Sequence, residues 1–203
     1  MPSSPKIKKE DMLKAALDIV IKDGYTALNI KAVADKLKCS TAPISWQFQG
    51  MNGFRSEFIQ FAEHYLAEKY KPVGKNETER FEHVGRCVIN MAFDEPNLFK
   101  FFYSGEGNEH LPPEFALLAQ TEHNKSICRN MALELEIDVE QASDFFIVMT
   151  LYTQGVGSMI ASGLICDSRE HAYNMLHKTG VTYLRGLGVK QEKILMVFEG
   201  ETE

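Results

Sequence analysis

The sequence predicts an all-α protein of about nine helices, with an N-terminal helix-turn-helix domain and a larger C-terminal helical domain. Apolar residues recur with the 3.6-residue period of amphipathic helices along most of the chain, and no segment shows convincing strand alternation. The periodic segments are separated by glycine, proline and polar capping residues. With 203 residues, 44% of them apolar and 25% charged, the chain has a globular composition and room for one or two cores.

The N-terminal pattern predicts three helices followed by a longer one. Asn29 and Ser40 are predicted to cap the second and third helices, because their side-chain oxygens can accept hydrogen bonds from free backbone N–H groups. Pro43 falls in the first turn of the third helix, where a missing N–H costs nothing. The break at 71–74 sets the domain boundary. The helices are expected at 8–23, 30–37, 41–48 and 52–70, giving a helix-turn-helix domain at 1–50, a connecting helix at 51–72 and a C-terminal domain at 73–203.

The C-terminal half continues in the same helical pattern. Capping pairs are predicted at Asn76 with Glu79, Asp138 with Gln141, and Asp167 with Glu170. The uncharged stretch 145–166 is long enough to span a bilayer, but its glycine and hydroxyl residues favour a buried helix, so we expect no membrane partner. Helices are expected at 77–94, 97–103, 114–135, 139–165 and 168–187, with a loop at 104–113 and no helix in the tail at 189–203.

Cysteine and histidine spacing argues against a disulfide framework, a metal site and a catalytic centre. The four cysteines lie about forty residues apart without a CxxC pair, and the six histidines show no paired-ligand spacing. No nucleophile–base arrangement or phosphate-binding loop is present. We therefore expect a non-enzyme without cofactors or metal. The absence of an apolar run near the N-terminus predicts no signal peptide, and a reduced, cytoplasmic location fits best.

Charge is unevenly divided along the chain. Residues 1–72 contain eleven basic and eight acidic residues, a net charge of +3, whereas residues 73–203 contain eleven and twenty, a net charge of −9. A basic front and an acidic back indicate two roles, although chance scatter remains the alternative.

The segment 28–49 has the size and spacing of a helix-turn-helix. A helix this short is marginal alone, so Ile44 and Phe48 are predicted to anchor it while its polar face enters a major groove, where Gln47 can pair with adenine. For Trp46 we favour a structural bracing role over a contact with DNA. The candidate DNA-binding residues are Asn29, Lys31, Ser40, Thr41, Ala42, Ser45, Trp46, Gln47 and Arg55.

Ten residues of the N-terminal region match the pattern of a known family: Gly24, Tyr25, Leu28, Ile30, Val33, Ala34, Ser40, Ile44, Phe48 and Phe54. Through them, residues 8–60 resemble the TetR/AcrR family of bacterial transcriptional regulators. Further along, the stretch 91–105 is similar to a segment found in one subgroup of that family.

The resemblance implies a homodimer that binds a palindromic double-stranded DNA operator, mostly as a repressor, and responds to a small effector in the C-terminal domain. Many methionines and phenylalanines favour an apolar or aromatic effector. For His123 we weigh a polar point inside the pocket against an ordinary surface role, and each of the other candidates is alternatively a core residue. The candidate effector-binding residues are Phe61, Tyr65, Cys87, Met91, Phe99, Phe102, Tyr103, His123, Met149, Tyr152 and Gln154. The candidate dimer-interface residues, which alternatively pack within one subunit, are Gly155, Gly157, Ser158 and Ala161.

Three positions depart from the family pattern. Lys38 stands where the turn normally holds glycine, Ser45 where the third helix normally holds tyrosine, and Met51 where the next helix normally starts with a phosphate-binding lysine. These departures support an alternative function, a helical protein-interaction or ligand-binding module whose helix-turn-helix no longer reads DNA.

Overall fold

The computed structural model describes residues 7–105 and 118–198, apart from the side chains of Met196 and Phe198. Within these ranges the chain forms α-helices and no strands, so the all-α prediction is confirmed. A 3-10 turn, Tyr25–Ala27, follows the first helix. The helices are α1 (Lys9–Asp23), α2 (Ile30–Leu37), α3 (Ala42–Phe48), α4 (Met51–Lys69), α5 (Glu77–Asp94), α6 (Pro96–Tyr103), α7 (Glu122–Leu135), α8 (Val139–Ala161), α9 (Arg169–Gly186) and α10 (Gln191–Phe198).

The chain divides into two compact units. The first comprises Met1–Lys69 together with Glu95–Asn108, and the second comprises Tyr70–Asp94 together with Glu109–Glu203. The first unit therefore contains α1–α4 and α6, and the second contains α5 and α7–α10. Helix α6 thus lies in the compact unit of the helix-turn-helix, although the sequence-based division assigns it to the C-terminal domain.

The core of the first unit forms around α1. Met12, Ala16 and Val20 are fully buried there, as the 3.6-residue pattern predicts. Helix α6 completes this core with Leu98 and Phe101. The α6 side chain of Asn97 also donates hydrogen bonds to the carbonyl oxygens of Ile21 and Lys22, both at 3.1 Å, and so satisfies acceptors at the end of α1.

Two of the predicted helix caps are confirmed by direct hydrogen bonds. The Asn29 carboxamide oxygen accepts from the Ala32 N–H at 2.9 Å. Asp138 and Gln141 form a reciprocal capping box, in which the Asp138 N–H donates to the Gln141 side chain at 3.0 Å. The Asn76 side chain likewise accepts from the Glu79 N–H at 2.8 Å, but the Glu79 carboxylate accepts from the Lys75 N–H, at 2.6 Å, instead of the Asn76 N–H.

Two predicted caps are wrong by one residue. Helix α3 is preceded by Thr41 in a helical conformation, and neither Thr41 nor Ser40 makes a capping hydrogen bond. Helix α9 is capped by Ser168, whose hydroxyl oxygen accepts from the His171 N–H at 3.1 Å. Asp167 instead accepts from the Ser168 N–H at 2.7 Å, one residue before the cap.

The long α8 helix is shorter than predicted. It ends at Ala161, and residues 162–168 are exposed, so the prediction of one buried helix over 145–166 is wrong beyond residue 161. Gly163 has φ +71°, a left-handed conformation that stops the helix. In the described part of the chain no helix combines the length and apolar character that crossing a membrane requires. The predicted start of α7 at 114 and most of the predicted loop at 104–113 lie outside the described residues.

Helix α10 lies in the tail, where no helix is predicted. Ile194 and Val197 are buried against the core of α7, α8 and α9. Glu136, just after α7, pairs with Lys190 at 3.1 Å and with Lys193 at 2.9 Å. These two lysines lower the pKa of the Glu136 carboxyl. Long-range contacts therefore stabilise a helix that is too short to be stable by local propensity.

The start of α5 is capped by a carboxylate from another helix. The Glu134 carboxylate on α7 accepts from the Glu77 N–H at 2.8 Å, from the Thr78 N–H at 2.9 Å and from the Thr78 hydroxyl at 2.6 Å. A negative charge at a helix N-terminus satisfies free donors and interacts favourably with the helix dipole. This contact joins α5 to α7 within the second unit.

Candidate nucleic-acid interface

Helices α2 and α3 form the predicted helix-turn-helix. Lys38 ends α2 in the left-handed conformation, with φ 54° and ψ 44°, and its N–H donates to carbonyl oxygens of the last turn. Ile44 and Phe48 of α3 are buried in the core of the first unit, together with Val33 of α2. The predicted anchoring of α3 is therefore confirmed. The turn glycine that the resemblance leads us to expect is replaced by a lysine that carries the positive φ.

The opposite face of α3 is open to solvent. Thr41, Ala42 and Trp46 are exposed, with 82% of the Trp46 surface accessible, while Ser45 and Gln47 are half-buried. The expectation that Trp46 braces the third helix is wrong. Ile44 and Phe48 occupy the inward positions four residues apart, and Trp46, midway between them, points to the opposite side.

The junction between α3 and α4 is tight and fixes the angle between these helices. Gln49 and Gly50 both have positive φ, at 57° and 97°. At Gly53, in the first turn of α4, a Cβ atom would overlap the Phe48 carbonyl oxygen, so only glycine fits. The Phe48 and Phe54 rings then meet edge to face, with centroids 4.9 Å apart.

Side chains of α1 and α4 hold the inner end of α3 in place. The Lys9 ammonium lies 5.1 Å from the centroid of the Phe48 ring and is hydrogen-bonded to Glu57 at 2.6 Å. These contacts orient the face of α3 that carries Trp46 through packing on its opposite side.

Exposed basic side chains flank α3 in the sequence. Lys31, Lys38 and Arg55 are all exposed, and the Arg55 guanidinium lies 6.0 Å from the centroid of the Tyr25 ring. Lys36 is paired with Asp18 at 3.3 Å. Segment 30–56 contains four basic residues and one acidic residue, a net charge of +3. The segment around α3 is therefore positively charged within a protein of net charge −6.

The remaining candidates for DNA contact differ in what their side chains are free to do. Ser40 is exposed. Asn29 is exposed too, but its side chain both accepts from the Ala32 N–H and donates to the Ala27 carbonyl, at 3.2 Å. The Asn29 side chain therefore caps α2, and only the backbone N–H groups at this helix N-terminus are left to bind a phosphate. Met51 is half-buried and packs on the core of the first unit, so it supplies no charge at the start of α4.

The effector candidates divide between the two units. Phe61, Tyr65 and Phe102 pack against the core of the first unit, and Tyr152 packs beside Ile89 in the second. His123 is exposed in the first turn of α7, so burial does not support it as a polar point inside a pocket. The first unit holds Phe61, Tyr65, Phe99, Phe102 and Tyr103, and the second holds Cys87, Met91, His123, Met149, Tyr152 and Gln154.

The small residues predicted at a dimer interface lie on two sides of α8. Gly155 and Ser158 are exposed, and a Cβ atom added at Gly155 would meet nothing within 4 Å. Gly157 and Ala161 are buried within the unit. The outward side also carries the exposed apolar side chains of Val148 and Met159.

A buried carboxylate that the sequence does not single out lies in the first unit. Glu95, just before α6, is only 5% exposed; it accepts a hydrogen bond from the Tyr65 hydroxyl at 2.6 Å and pairs with the Lys69 ammonium at 2.8 Å. Burial and the bond to Glu95 raise the pKa of the Tyr65 hydroxyl. The spacing of Tyr65 and Lys69 places both on one face of α4, but nothing in the sequence points to Glu95 as their partner.

A second polar cluster joins α5 and α9 in the second unit. Arg169 pairs with Asp94 at 2.7 Å and donates to the Asn90 side-chain oxygen, which also accepts from the Tyr173 hydroxyl. The arginine–carboxylate contact raises the pKa of Arg169. Among the described residues no three or more histidine, cysteine or acidic side chains are grouped as metal ligands would be.

No family model and no curated protein matches the chain, but solved structures are similar to it in fold. One is the crystal structure of a TetR-like transcriptional regulator from Rhodococcus sp. RHA1, which aligns with a TM-score of 0.58 over 92% of this chain and 99% of that one. The fold is TetR-like. Sequence identity to that regulator is 14%, so the similarity lies in the architecture. The resemblance drawn from residues 8–60 is thus confirmed at the level of the fold.

Proposed function

We propose that this protein is a DNA-binding transcriptional regulator that reads its operator with α3. The observation that carries the proposal is the combination of an anchored inner face and an open outer face on α3. Ile44 and Phe48 hold the helix from behind, and Trp46 stands out into solvent. A helix held in this way on a TetR-like fold fits the major groove of B-DNA, which admits one α-helix.

Phosphate contacts would come from the exposed basic residues flanking α3. Lys31, Lys38 and Arg55 are exposed, and such side chains supply the salt-dependent part of DNA affinity. Arg55 is the best-placed substitute for the lysine that Met51 replaces, because the Tyr25 ring supports its guanidinium from one side.

The regulator acts as a homodimer on a palindromic operator. The outward side of α8 supports this proposal, since exposed Val148, Gly155 and Met159 follow one another at helical spacing. An exposed apolar stripe with a glycine at its centre suits close packing against a second copy. Two copies of α3 would then reach half-sites one helical turn apart.

An apolar or aromatic effector in the C-terminal domain would release the DNA, which makes the protein a repressor. Buried Met91 and Met149 in the second unit support an adaptable apolar site. Such an effector shifts DNA affinity only by its preference for one spacing of the two α3 helices over another.

The test is a titration of labelled duplex with the full chain at several salt concentrations, followed by fluorescence anisotropy. The duplex would be the site enriched by the protein from a random library. Three phosphate contacts per protomer, six per dimer, predict that log K falls against log salt with a slope of about −5. Lys31→Ala or Arg55→Ala should each reduce the slope by about 2 in the dimer, since each removes two contacts.

A matched control is Lys14→Ala. Lys14 is an exposed lysine of the same unit that is already paired with Glu10 at 2.6 Å on α1, so its loss should leave the slope nearly unchanged. If no sequence is enriched, or if binding ignores salt, the protein is instead a helical protein-interaction or ligand-binding module that does not read DNA. The exposed Trp46 would then mark the surface for a protein partner.

A further inference from the structure

Helix α3 and the residues on either side of it carry no charged side chain. Between Lys38 and Arg55 the chain runs for 16 residues without lysine, arginine, aspartate or glutamate. The exposed side chains of α3 and its N-terminal flank are Ser40, Thr41, Ala42, Pro43 and Trp46. Basic side chains are confined to the flanking segments.

This composition limits which base pairs α3 can read. Guanine is most often recognised by a bidentate arginine or lysine, and cytosine by an acidic acceptor, and α3 offers neither. The 5-methyl group of thymine, in contrast, is recognised by apolar contact with side chains such as alanine, the threonine methyl group or an aromatic ring. Those are the groups that α3 exposes.

The half-buried Gln47 also favours an A·T pair. A glutamine carboxamide makes two hydrogen bonds with the major-groove edge of adenine. Thymine methyl contact and adenine hydrogen bonding both select A·T pairs.

We infer that α3 specifies A·T pairs in its operator half-site, and that Trp46 with Ala42 reads thymine through its 5-methyl group. This inference rests on the proposed function and adds the chemistry of the sequence that is recognised. The +3 charge of segment 30–56 complements the phosphates on either side, so the uncharged α3 face is left for the bases.

The experiment replaces thymine by deoxyuridine, one position at a time, in the duplex enriched from a random library. This change removes the methyl group and keeps base pairing. Affinity of the full chain should fall about fourfold at each thymine that packs against α3, the effect of withdrawing one buried methyl group. It should stay the same at thymines outside the half-sites.

Protein variants then assign the contact. Trp46→Ala should bind the thymine duplex more weakly and should lose the sensitivity to deoxyuridine at one position. Trp46→Phe should keep part of that sensitivity. Because Trp46 is 82% exposed, neither variant removes core packing. Leu133→Ala, which truncates an apolar side chain 78% exposed on α7, is the matched control and should behave like the wild type.

The outcomes separate this inference from the proposed function. A selected half-site with guanine at its central positions, or a thymine-containing one insensitive to deoxyuridine, overturns the inference while the protein still binds specifically. Equal deoxyuridine effects in wild type and Trp46→Ala overturn the assignment to Trp46. Failure to enrich any sequence overturns the proposed function as well.

Discussion

At the scale of single residues, Lys38 at the end of α2, like Gln49 at the end of α3, adopts a strained backbone conformation. Its φ of 54° and ψ of 44° place it in the left-handed region, which costs a residue with a Cβ atom about 1–2 kcal/mol. Its N–H still donates to backbone carbonyls at the end of α2, so the hydrogen bonds that end the helix form despite the strain. The lysine side chain extends a positive charge from the turn that leads into α3.

Lys38→Gly should therefore stabilise the protein. Glycine relieves the left-handed strain but gains freedom in the unfolded chain, so the net increase in unfolding free energy should be about 0.5–1 kcal/mol. The measurement is urea denaturation followed by circular dichroism. Ala32→Gly, within α2, is the control and should lower stability by about 1 kcal/mol. Equal losses in both variants would show that Lys38 is not strained.

At the scale of elements, the direction of α3 depends on its junction with α4. Gly50 provides a positive φ, and Gly53 lets the α4 backbone approach the Phe48 carbonyl more closely than any side chain allows. The Phe48–Phe54 ring contact lies at this junction. These contacts fix the angle between α3 and α4, and with it the direction in which Trp46 points.

Gly53→Ala should disrupt the junction between α3 and α4. The added methyl group overlaps the Phe48 carbonyl oxygen, so the two helices must separate, and the loss of unfolding free energy should reach about 3 kcal/mol. DNA affinity should fall with it. Gly186→Ala at the end of α9 is the control, because its Cβ atom would meet nothing within 4 Å. Thermal denaturation of both variants checks the prediction, and equal melting temperatures would contradict it.

At the scale of the whole molecule, local signals predict most of the fold. The caps of α2 and α8 are set by Asn29 and Asp138, each acting within three residues, and the sequence shows both. Helix α10 escapes prediction because the contacts that stabilise it are distant in the sequence. Ile194 and Val197 pack on the core of α7, α8 and α9. Lys190, just before the helix, pairs with Glu136, 54 residues away. The early end of α8 is not predicted for another reason. An uncharged stretch favours a continuous buried helix, but Leu164 and Ile165 at its end are exposed.

The candidate site is predictable in its anchors and less so in its outer face. Ile44 and Phe48 follow from helical periodicity. The orientation of Trp46 follows from the same periodicity, but the preference for burying large aromatic side chains points the other way. The role of Glu95 cannot be predicted from the sequence, because its partners Tyr65 and Lys69 lie on a helix about 30 residues away.

The most direct test of the central claim, that two copies of α3 read one duplex, is a hydroxyl-radical footprint of the full chain on its selected site, with the mass of the complex measured by light scattering. We expect two protected patches centred about 10 base pairs apart and two protomers per duplex. A single protected patch, or one protomer per duplex, would show instead that one copy of α3 reads the site alone.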